Sequence, residues 1–125
     1  MREIKFRFWD IGRKAMFPVE SLRHKKYSWE KKYIAYDKEG IGGVVGEHII
    51  LEQYTGVKDK NGTEIYEGDI VEWRDSDSLL RTDHVTFGRG EFYLCNASYG
   101  IGHYTTPNNM EVVGTIHEAE SEDKS

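Results

Sequence analysis

Apolar and polar positions alternate with a period of two along most of the chain, the pattern of strands buried on one face. Ile4, Phe6 and Phe8 fall on one side of such a strand, and Lys5 and Arg7 fall on the other, facing water. Residues 10–14 form a turn, Ala15-Met16-Phe17 reads as the returning strand, and Pro18 ends it or places it at an edge. Residues 20–33 are polar and basic and read as a long loop with room for one short element. Tyr33-Ile34-Ala35-Tyr36 is a short strand followed by a turn over 37–40, after which Gly42, Gly43 and Gly46 interrupt regular structure. A stronger strand covers 48–54.

The sharpest local signal is the segment 57–65, where Asn61-Gly62 supplies two residues that tolerate positive φ, as a type I′ hairpin turn requires. Glu67-Gly68-Asp69 turns again before 70–73, where Val71 and Trp73 share a face. Residues 74–81 read as an exposed loop. Val85 and Phe87, then Phe92 and Leu94, build two alternating strands around Gly88-Arg89-Gly90. A Gly-, Tyr- and Asn-rich loop over 96–109 precedes a last strand at 111–117, and the acidic tail from Glu118 frays. No sustained 3.6-residue pattern and no internal repeat interrupts this reading. Short strands with Gly and Asn punctuation predict an all-β chain, a small barrel or sandwich.

The same residues carry a family likeness. The run from Gln53 through Gly56, Asp59, Asn61, Gly62, Gly68 and Asp69 to Val71 resembles the YopX family of phage and prophage proteins. The opening Met1–Asp10 stretch and the late segment 112–118 complete the pattern, although the family's usual closing Asn-Pro is replaced by Ala119-Glu120-Ser121. The resemblance implies a small, mainly β protein whose second half is an SH3-type barrel, and it brings no activity and no catalytic residue. It suggests an N-terminal β subdomain over 1–53 with a basic loop, an SH3-like subdomain over 54–118 and a flexible tail over 119–125. Physically, Gly56, Asp59, Asn61, Gly62, Gly68 and Asp69 read as turn residues, with Ile65, Val71 and Trp73 as core, so the signature is a folding motif.

Composition narrows the chemistry. One cysteine in 125 residues excludes an intrachain disulfide and a cysteine-based zinc site, and suits a reducing compartment. Cys95 is expected to pack as a small apolar side chain. The start lacks an apolar signal core, and no run approaches the ~20 apolar residues of a membrane-spanning helix, so a cytoplasmic chain without membrane contact is expected. The histidines (24, 48, 84, 103, 117) form no H-x-H or H-E-x-x-H pair. The carboxylates Asp59, Glu64, Glu67, Asp69 and Glu72 miss the EF-hand spacing, and residues 40–46 miss the dinucleotide-binding glycine pattern. No metal, no cofactor and no enzymatic activity are therefore expected.

Charge is unevenly spread. The chain carries net -5, yet residues 1–38 hold eleven Lys/Arg against five Asp/Glu, whereas the remainder holds six against seventeen. Arg23, Lys25, Lys26, Lys31 and Lys32 interleave with Tyr27, Trp29 and Tyr33. That mixture fits a contact surface for a protein partner or a second copy of the chain, opposite charges meeting across a homo-oligomer. Its alternative use is to stack and neutralise a single-stranded nucleic acid, which the acidic remainder opposes.

Overall fold

The computed structural model describes residues 3–24, 32–88, 90–96, 100, 101 and 109–118. Over these residues the chain is nearly all β, with eleven strands and one short helical turn at 116–118. It divides into two compact units, Lys5–Gln53 and the chain from Tyr54 onward, the latter joined by the residues before Lys5.

In the first unit, β1 (Phe6–Asp10) pairs antiparallel with β2 (Ala15–Pro18) on one side and with β6 (Ile49–Lys58) on the other. Pro18 does end β2, and β2 is an edge strand, where its missing N–H costs no ladder bond. A three-stranded antiparallel meander follows from β3 (Ser21–His24), β4 (Tyr33–Tyr36) and β5 (Gly42–Val44). Of the glycines expected to interrupt regular structure here, Gly42 and Gly43 build a strand instead, while Gly46, at φ +90°, does form a turn. A Cβ on Gly42, whose φ is +154°, would sit 2.0 Å from the Ala35 carbonyl oxygen, so glycine is what lets β5 approach β4.

Among the described residues the core of this unit gathers Phe8, Ala35 and Ile49, which are buried, with Phe17, Val19, Ile41, Val45 and Leu51 packed against them. Phe8 stacks on Phe17 at 5.5 Å. Two expectations for β1 are corrected. Ile4 is exposed, because it precedes the paired part of the strand. Arg7 does not point to water: its Nε donates to Glu52 Oε1 at 2.9 Å, directly across the ladder, and Glu52 is buried. Each charge makes the other's burial tolerable.

The second unit takes the end of β6, then β7 (Glu64–Tyr66), β8 (Asp69–Arg74), β9 (Leu80–Gly88), β10 (Glu91–Leu94) and β11 (Glu111–Thr115). Four strands lie in the order β10-β9-β8-β11, all antiparallel. Val113 is the extra residue of a β-bulge in β11. The core gathers Val57, Ile65, Val71, Trp73, Val85, Phe92, Leu94, Ile101 and Met110. Ile65, Val71 and Trp73 are thus buried as the alternation predicts. Cys95 is not: the thiol is exposed, since Phe92 and Leu94 point inward and residue 95 falls on the opposite face.

Candidate functional site

The family-type signature resolves into backbone chemistry. Strand β6 bulges between Tyr54 and Lys58, where Gly56 takes φ +88°. Thr55 is fully buried there, its hydroxyl donating to the Ile65 carbonyl at 2.7 Å and accepting from the Val57 N–H at 3.2 Å. The hydroxyl thereby fills the gap that the bulge opens in the ladder with β7.

Asp59 then opens a tight hairpin. Its carbonyl accepts from Gly62 N–H, its own N–H donates to the Thr63 carbonyl, and its Oδ1 accepts from the N–H groups of Asn61 and Thr63. Only Gly62, at φ +83°, is left-handed; Asn61 is not, so the expected type I′ geometry does not form. A type I turn closed by a left-handed fourth residue takes its place, because the Asp59 carboxylate supplies two acceptors that an Asn-Gly pair alone lacks.

That turn recurs twice. In residues 37–41, Asp37 accepts from Gly40 through its carbonyl and from Glu39 and Ile41 through Oδ1, with Gly40 at φ +87°. In residues 75–79, Asp75 holds Ser78 through its carbonyl and Asp77 and Leu79 through Oδ1, with Ser78 at φ +62°. The period-two reading misses this repeat. The signal that finds it is an aspartate three residues before a glycine or serine at the tip of a hairpin.

The three turns differ in the second carboxylate oxygen. Asp75 Oδ2 accepts from Arg81 Nε at 2.8 Å, the main reason its carboxyl is held below the usual carboxylate range, with backbone N–H donors adding to it. Asp59 Oδ2 accepts from Val112 N–H at 2.9 Å and so ties the turn to β11, 53 residues away. Burial would raise the Asp59 pKa, but the N–H groups of Val112, Thr63 and Asn61, together with Lys60, outweigh it and lower the value. Asp69 is buried and accepts from the Tyr66 N–H at 2.8 Å across Gly68, which takes φ +87°. Asp59, Gly62, Gly56, Gly68 and Asp69 therefore act on the backbone, while the Asn61 side-chain amide donates to Glu111 Oε1 at 3.2 Å. Among the described residues no three His, Cys, Asp or Glu side chains converge as metal ligands.

The basic, aromatic segment expected at a partner surface belongs to the β3–β4 hairpin. Lys25, Lys26, Tyr27, Trp29 and Lys31 lie outside the described residues. Arg23, Lys32 and Tyr33 are described; the register sets Arg23 opposite Ile34 and Tyr33 opposite His24, so Arg23 and Tyr33 fall on opposite faces of the hairpin. Strand β3 is an edge strand exposed along all four residues. The Arg23 guanidinium lies over the Tyr36 ring at 6.0 Å, and His24 meets Tyr33 edge-on at 5.3 Å. Lys32 is ion-paired with Glu47. Sequence reasoning missed Tyr36 on the Arg23 face and His24 and Leu22 on the Tyr33 face, because only strand register shows which residues stand beside each.

A second feature is an open cleft of about 270 Å³ in the second unit, lined by Lys60, Glu72, Trp73, Arg74, Leu80, Asn109 and Glu111. Its lining includes the cross-strand pair Glu72 and Glu111. Asn109 presents its amide to the end of β8, accepting from the Arg74 N–H and donating to the Arg74 carbonyl, as a neighbouring strand would.

The family model described as YopX protein matches residues 5–121. Among solved structures, the chain is similar to protein EF1440 from Enterococcus faecalis, at 23% identity over 98% of this chain and 99% of that one, with a TM-score of 0.59. At that identity the likeness shows a shared fold. No curated protein matches.

Proposed function

We propose that this chain, which belongs to the YopX protein family, is a non-enzymatic interaction module, an accessory protein of phage or prophage origin working in the bacterial cytoplasm. The observation that carries the reading is the β3–β4 hairpin: an edge strand exposed over its whole length, paired among the described residues only with β4, and flanked by a Lys-rich run. Such an edge accepts an extended segment of a partner by adding a strand, and the basic surroundings favour an acidic one. The signature carboxylates support it indirectly, since their oxygens are engaged by backbone donors.

Affinity capture from host lysate, with and without nuclease, tests the reading. A protein partner should be retained after nuclease treatment and lost with Leu22→Pro, which removes a ladder donor, and with Arg23→Asp. Arg23 stacked over Tyr36 also favours a second reading, a platform for single-stranded nucleic acid. Salt-sensitive binding of a labelled oligonucleotide, weakened by Arg23→Ala and absent for the nuclease-resistant partner, would replace the first reading with the second. A reproducible turnover abolished by one substitution would overturn both.

A further inference from the structure

The hairpin joining β8 to β9 holds two adjacent leucines out in solvent: Leu79 is 55% exposed and Leu80 54%. This is no loose loop. Besides the Asp75 bonds to Asp77, Ser78 and Leu79, the Asp75 N–H donates to the Leu79 carbonyl, Arg74 donates to the Ser78 carbonyl at 2.9 Å, and Arg81 clamps Asp75 Oδ2. Ser78 takes the left-handed conformation to complete the turn, at a cost of about 1 kcal/mol for a residue with a Cβ. An apolar pair displayed on a locked turn, beside a cleft that Leu80 itself lines, is an anchor for another surface.

The charges around it say which surface. The second unit, with the residues before Lys5, holds seven Lys/Arg against fifteen Asp/Glu, so two copies repel over most of it. Of its four Lys/Arg that are described, three (Lys60, Arg74 and Arg81) ring this tip and cleft, among the carboxylates of Glu72, Asp75, Asp77 and Glu111. The patch is thus apolar at its centre and carries both signs at its rim, which makes it complementary to itself across a two-fold axis. Glu72 adds a further reason. It stands directly opposite Glu111, and while Glu111 is held by Asn61 and Lys60, Glu72 has no partner among the described residues. Like charges opposite one another in a ladder are unfavourable, and a cation from a second copy would relieve them.

We infer that a second copy of this chain docks here, the Leu79–Leu80 tips packing together about a two-fold axis with the mixed-charge rims interlocked. This pairing uses a different unit from the β3 edge and stands independently of the partner proposed for it. Light scattering over a rising protein concentration should show the mass climb toward twice the 14.5 kDa of one chain. The variant Leu79→Asp/Leu80→Asp should hold at the mass of one chain with an unchanged far-UV circular dichroism spectrum. If that variant does not fold, Leu80→Ser replaces it, with the same loss of the doubled mass expected. Leu22→Pro and Arg23→Asp should leave the doubled mass intact, which separates this contact from the β3 edge. A wild-type chain that stays at the single mass at its highest concentration, or aspartate variants that still double, would overturn the inference.

Discussion

The two units reach stability by different routes. Among the described residues, the second closes nine buried apolar residues into one cluster, from Val57 on β6 to Met110 just before β11. The first, over its own described residues, buries three, and it also buries Asp10 and the Glu52 carboxylate that Arg7 holds. A small apolar core leaves the first unit more dependent on paired polar groups and hairpin turns, since burial contributes in proportion to apolar area. It also carries the basic charge, ten Lys/Arg against seven Asp/Glu over residues 5–53. The unit with less core therefore offers the exposed edge strand, and the unit with more core offers a rigid turn. A binding edge is drawn from the less consolidated part of a molecule, while a turn that displays leucines needs a firm base.

Five substitutions or conditions sharpen that contrast. The largest effect is expected in the second unit, where Ile65→Ala opens a cavity in the nine-residue core and should lower the unfolding free energy by about 2–5 kcal/mol in a urea titration. In the first unit the comparable break is polar. Glu52→Leu removes the buried carboxylate that accepts from Arg7 Nε and should cost about 2–3 kcal/mol, whereas Arg7→Met/Glu52→Leu should recover part of the loss by replacing that bond with apolar packing. If the double variant is as unstable as the single one, the first unit is not limited by its apolar content.

The repeated turn gives smaller, opposite effects. Gly62→Ala forces a Cβ into a left-handed conformation with nothing within 4 Å to clash, so its cost of about 1 kcal/mol is purely conformational. Ser78→Gly should gain a similar amount for the same reason, raising the melting temperature. Acid provides the mildest test. The Asp59 carboxyl titrates below its ordinary value of 3.8 in the folded chain. The native state therefore binds that proton less readily than the unfolded chain, and the stability it contributes is complete above 3.8 and lost as pH falls through the native value. Denaturation midpoints should fall between pH 5 and pH 3 more steeply for the wild type than for Asp59→Asn.

Much of this architecture was legible along the chain. The alternation of Val71 with Trp73 and of Phe92 with Leu94 marked strands and their inward faces, because a pleated strand sends successive side chains to opposite sides. Gly40, Gly62 and Gly68 marked turns, since each sits at a φ that other residues resist. The candidate surface was half legible. Arg23 and Tyr33 were identifiable from the basic, aromatic run, but Leu22, His24 and Tyr36 were not, as they join it only through the β3–β4 register.

What the amino-acid order alone determined is local: where the backbone extends, where it turns, and which face of each strand is apolar. Only the tertiary structure decided which distant groups meet. Arg7, a surface cation by its alternation, became the partner of Glu52. Asp59, a turn residue by its neighbours, became the clip that holds Val112 on β11. Periodicity reports the direction of a side chain relative to its own strand, whereas burial and bonding depend on the strand lying opposite, which register selects.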